Sequence, residues 1–159
     1  LRFNAIFPSP AEQKASLNAL KHQLQEAVID STTEQMNKLK AVEFARTHEL
    51  LALTRPEVHA APSLFMDAAR FYKAAGGSKK ALQLYTHVVQ AYPTAQEAPK
   101  ALFLQANEWE ELNEVEAARE AYRKFLLKYP DHELADDAQA MLRNVGKSPE
   151  EIIESFSRR

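Results

Sequence analysis

Apolar residues recur three and four positions apart along most of the chain, the spacing that gathers side chains on one face of an α-helix. The clearest run begins at residue 61. One helix is predicted over 61–75, and Gly76-Gly77 ends it. A second, capped by Ser78, runs to about Ala91 with the stripe Ala81, Leu84, Tyr85, Val88 and Val89. Tyr92-Pro93 closes this pair. Thr94–Glu97 fits a capping box, so the next helix is expected to open there, before Pro99, and to end near Leu112. Residues 114–128 follow, with Ala118, Tyr122 and Phe125 on one side. Asp131 is expected to cap a shorter helix ended by Gly146, and Ser148-Pro149-Glu150-Glu151 to open a last one through Ile152, Ile153 and Phe156.

The first third follows the same rhythm less regularly. Leu17, Leu20, Leu24 and Val28 mark a helix over 11–29. Thr32 or Thr33 is placed to cap another that reaches Leu53. Before them, residues 1–10 form an apolar extension (Leu1, Phe3, Ile6, Phe7) broken by two prolines. It either docks on a partner or folds back on the chain's own helices.

These elements are not independent. Tyr92-Pro93 recurs 37 positions later as Tyr129-Pro130, and Ala61-Pro62 as Ala98-Pro99. At the same offset Ala69 pairs with Ala106, Tyr72 with Trp109, Ala81 with Ala118 and Tyr85 with Tyr122. One offset held across two helices is an internal repeat, whose surfaces come from stacking rather than from a single pocket. The expected organisation is a degenerate hairpin over 11–56, repeats over 61–93 and 98–130, and capping helices over 131–159. The fold class is all-α, about seven helices in a right-handed stack of antiparallel hairpins.

Composition narrows the function classes. Net charge is −2, which calls for neither nucleic acid nor an anionic membrane. Residues 1–80 hold 11 Lys and Arg against 8 Asp and Glu, and residues 81–159 hold 9 against 14. That split either steers a partner or reflects solvated helix faces. There is no Cys, which excludes disulfides, thiolate metal sites and cysteine nucleophiles within the chain. No apolar run is long enough to span a bilayer.

The repeated positions resemble the tetratricopeptide repeat: a small residue on helix A with an aromatic three further on, a small residue on helix B with an aromatic four further on, and a closing proline. The usual period is about 34 residues. The three extra residues here fall in the junctions Glu57–Pro62 and Thr94–Pro99. This Tyr-Pro, five residues, Pro junction is similar to that of periplasmic tetratricopeptide proteins of Gram-negative bacteria, such as the Tol-Pal coordinator and the helical lipoprotein of the β-barrel assembly machinery. The stretch from Lys128 to Phe156 resembles the end of small outer-membrane lipoproteins of that kind.

The resemblance implies a non-catalytic scaffold for protein–protein interaction in the bacterial envelope, with a lipid anchor expected upstream of Leu1. A cytoplasmic adaptor or co-chaperone-like module that binds a peptide segment is the alternative. It also implies that the A helices line the binding groove, with Met66, Arg70 and Lys73 in one unit and Lys100, Phe103, Asn107 and Glu110 in the next. An apolar pair (Met66, Phe103) ringed by both signs of charge suits an extended or helical peptide.

Signals for chemistry are weak by comparison. His22, His48, His59, His87 and His132 are scattered, without the spacing of a zinc helix. His132 lies among Asp131, Glu133, Asp136 and Asp137, which either hold a metal or interact favourably with a helix dipole; the latter is preferred. Glu110, Glu111 and Glu114 have no visible partner for acid–base work. No cofactor and no metal is expected.

Overall fold

The computed structural model describes residues 22, 38–54 and 60–157, with side chains as far as Glu154. The apolar extension, the helix expected over 11–29 apart from the helical residue 22, the caps at Thr32 or Thr33 and the junction around Pro56 lie outside the described residues. Among the described residues there are seven helices and no strand: α1 (Lys38–Thr54), α2 (Ala61–Ala74), α3 (Ser78–Ala91), α4 (Ala98–Glu111), α5 (Val115–Lys128), α6 (Ala135–Asn144) and α7 (Pro149–Ser157). Each helix from α1 to α5 packs on the next, which is a tetratricopeptide-like α-solenoid.

The 37-residue period is a period of the backbone. In the turn after α2, Gly76 has φ 92, and 37 positions on Asn113 has φ 61. Only glycine, and less readily asparagine, accepts that left-handed conformation. The N–H of Gly77 reaches the Tyr72 carbonyl at 2.7 Å, and that of Glu114 reaches Trp109 at 2.9 Å. The junctions match as well. Ala95 donates to Tyr92 and Ala98 to Ala95, both at 3.0 Å; His132 donates to Tyr129 at 3.2 Å and Ala135 to His132 at 2.8 Å.

Those junction bonds correct two expected helix starts, and a third helix lacks its expected cap. Ala95 donates and accepts in two successive turns, and α4 begins at Ala98 with Pro99 in its first turn and no side-chain cap. Asp131 does not cap α6; the His132 Nδ1 accepts the Leu134 N–H at 3.1 Å instead. Ser78 is the first residue of α3, preceded by Gly77, and makes no capping bond. At Ser148 the expected reciprocal pair is present. The Ser148 N–H donates to Glu151 Oε2 at 2.8 Å, and the Glu151 N–H donates to Ser148 Oγ at 3.2 Å.

The core runs through the stack as small residues flanked by aromatics. Ala69, Ala81, Ala106 and Ala118 have no exposed surface. Phe44 lies against Phe71 with ring centroids 4.1 Å apart, and Phe65 against His87 at 4.7 Å. Trp109 packs partly buried against the same core. Because Ala106 is enclosed, Ala106→Leu is expected to overpack α4 and lower stability by about 1–3 kcal/mol, several degrees in melting temperature. An unchanged thermal melt would break the small-residue register.

The C-terminal end of the stack is built by substitution within the repeat. Leu64, Ala101 and Ala138 are all buried at one register position. Two neighbouring positions change character in α6. Phe65 and Leu102 become the exposed Gln139, and Ala69 and Ala106 become the exposed Arg143. A polar outer face is what a terminal unit needs. α7 does not lie alongside α6, and Ile153 on it is exposed.

Candidate partner-binding face

Helices α2 and α4 are the A helices of the two repeats, and side chains cross directly between them. Lys73, in the last turn of α2, extends its ammonium to two carboxylates of α4. Nζ lies 2.6 Å from Glu108 Oε1 and 2.7 Å from Glu111 Oε1. The bond to Glu111 is a hydrogen bond; the approach to Glu108 is an ion pair out of line for one. Glu108 is fully buried, Lys73 is 34 % exposed and Glu111 52 % exposed, so the cluster runs from the interior to the surface.

Arg70, one turn earlier, is 60 % exposed. It lies 3.4 Å from Asp67 and 5.2 Å above the Phe71 ring. Lys100 is exposed at the start of α4, and Met66 is partly buried against the core. Asn107 and Glu110 meet over the hydroxyl of Tyr122, which lies 2.6 Å from Asn107 Oδ1 and 3.0 Å from Glu110 Oε2. A hydroxyl carries one hydrogen, so these two acceptors share it. Both residues therefore have a structural duty, tying α4 to the buried ring of α5.

Phe103 does not belong to this face. It is 8 % exposed and stands edge-on to Tyr122 at 6.0 Å and Phe125 at 5.8 Å. Three rings that exclude water from one another gain more than a lone ring at a solvated surface. The apolar pair expected from the sequence is thus reduced to Met66.

The residue that sequence reasoning missed is Glu108. A signal for it existed: 37 positions earlier stands Phe71, buried in the core, so Glu108 occupies an apolar register position. Neither of its carboxylate oxygens receives a hydrogen bond from the protein.

Burial and charge in the cluster shift neighbouring groups. Burial alone would lower the Lys73 ammonium, but Glu108 and Glu111 outweigh it and hold it above its ordinary 10.5. Burial, reinforced by the Glu108 charge, pushes the Tyr85 hydroxyl up to about 12. Tyr122 is also raised, by burial and then by Glu110.

The signs agree. A tyrosine kept neutral by the fold stabilises it fully below its unfolded value of 10.0, and that contribution is lost as pH rises through the folded value. The raised lysine stabilises below 10.5 and loses its contribution above. Stability is therefore expected to hold to about pH 10 and then fall steeply, with Tyr85 alone contributing about 3 kcal/mol of the loss. Urea midpoints measured between pH 8 and 12 check this; a flat profile would contradict it.

With this geometry in place, comparison with known proteins identifies one unit. Residues 100–132 match the tetratricopeptide repeat family. The matched unit takes in α4 from Lys100 onward, α5 and the Tyr129-Pro130 junction, and so includes Asn107, Glu108, Glu110 and Glu111. No curated protein and no solved structure matches the chain. Tetratricopeptide units mediate contacts between proteins, and a protein or peptide segment is the kind of partner such a unit receives. Among the described residues no three His, Asp or Glu side chains converge as metal ligands, and no helix is long and apolar enough to cross a membrane.

Proposed function

We propose that the chain is a non-catalytic scaffold whose α2–α4 face receives a segment of a protein partner, and that it serves as an accessory subunit of a bacterial envelope complex. The observation that carries the binding role is the row of exposed or half-exposed polar side chains on successive A helices. Arg70 and Lys73 lie on α2; Lys100, Asn107 and Glu111 lie on α4 of the matched unit. Such a row reads a partner by charge and hydrogen bonding. Support for the envelope setting is the spacing of the Tyr92-Pro93 and Pro99 junction, and the setting carries with it a periplasmic location with a lipid anchor at the outer membrane.

A photo-crosslinking residue at Lys100, with a control at Lys124 on α5, tests the binding role in an envelope extract. A discrete adduct from position 100 that position 124 does not give is the expected result. Identical capture from both positions, or none from position 100, would overturn the face as a binding surface. Fractionation of the native gene product tests the compartment, and recovery in the cytoplasm would overturn the envelope role.

A further inference from the structure

The α2–α4 cluster sets two carboxylates against one ammonium and buries one of them without an in-line donor. A single ammonium, Lys73, serves both Glu108 and Glu111, while Glu110 is turned to the Tyr122 hydroxyl on α5. The fully buried Glu108 pairs with Lys73, but neither of its oxygens is met by an in-line hydrogen bond. A carboxylate withdrawn from water is held comfortably only when charge and hydrogen bonds replace the lost hydration. The missing element is therefore a cationic donor, and the half-exposed Lys73 and Glu111 stand where one would enter. A divalent metal fits less well, because no three acidic or imidazole ligands converge among the described residues. An anionic group would meet the repulsion of Glu108 and Glu111.

We propose that the Lys73–Glu111 end of this face takes a lysine or arginine side chain from the bound partner segment. The entering cation pairs with Glu111 at the surface. The flexible stem of Lys73 lets its ammonium move aside, so that the partner's N–H donors reach Glu108. An arginine is the better fit, since its planar fork supplies several donors to one carboxylate. This inference rests on the reading of the α2–α4 face as a protein-binding surface, and deepens it by naming the chemistry of the partner.

A phage-displayed library of random twelve-residue peptides, panned against the whole chain, provides the probe. Selected peptides are then measured by fluorescence polarisation against the wild type, Glu111→Gln, Glu108→Gln and the distant control Glu120→Gln, with a crosslinker at Lys100 reporting where they bind. The expected result is a fixed Lys or Arg in peptides captured at Lys100. Replacing that residue with Ala, or changing Glu111→Gln, should weaken binding about tenfold, with Glu120→Gln unchanged. Glu111 is half exposed, so this variant keeps the test valid even where Glu108→Gln disturbs folding. Peptides captured at Lys100 that carry no cation, or bind Glu111→Gln as tightly, overturn this inference and leave the surface standing. Failure to select any peptide captured at Lys100 overturns both.

Discussion

Lys73→Met is expected to destabilise the protein by about 3 kcal/mol, because it leaves Glu108 as a buried charge without its cation. The figure is taken at the lower end for a broken buried pair, since Lys73 itself is partly solvated. The pair is expected to be a poor source of net stability despite this. In Lys73→Met/Glu108→Leu both charges are gone and apolar side chains fill a position whose counterpart, Phe71, is already apolar. That double variant should regain most of the loss. Urea unfolding of the two single variants and the double one closes the cycle, with the single tryptophan, Trp109 on α4, as reporter. If Lys73→Met unfolds at the wild-type midpoint, the ion pair is not holding Glu108. The cationic partner proposed above gives this buried carboxylate a use that an apolar residue would not serve.

Phe103→Glu should have the larger effect, about 4 kcal/mol or more. Removing the ring abolishes its contacts with Tyr122 and Phe125, and the new carboxylate is buried against two aromatic rings. Far-UV circular dichroism at 25 °C should show lost helix. Phe103→Leu, which keeps an apolar side chain there, should cost about 1 kcal/mol. A well-folded Phe103→Glu protein would return Phe103 to the surface and restore the apolar pair with Met66 that the resemblance implied.

These two residues show where the pattern stops being informative. The register of Met66 and Phe103 is the same, and both face inward on a generic helix A. What differs is the neighbour. Tyr122 and Phe125 on α5 present ring edges that draw Phe103 into the core, and the choice depends on two helices together. Glu108 fails in the opposite direction. It lies in an apolar register, yet a lysine 35 positions earlier lets it stay there charged, and no local period links the two. Asn107 and Glu110 were identifiable as inward-facing, but their shared bond to Tyr122 was not, because it is fixed by how closely α4 and α5 approach.

The sequence by itself determined the all-α class, the hairpin repeat and its 37-residue period. Each rests on short-range physics: apolar residues at helical spacing, a glycine break at Gly76-Gly77, and prolines that close one unit and open the next. The matched bonds at Ala95 and His132 show how fully that local chemistry repeats. Helix starts were less accurately placed, since the junction backbone satisfies itself without the side-chain caps that the residues offered. Only the tertiary structure decided which inward positions are core, which are ion pairs and which face water. That partition depends on groups brought together across helices, where burial and charge act over a few ångströms between residues far apart in the chain.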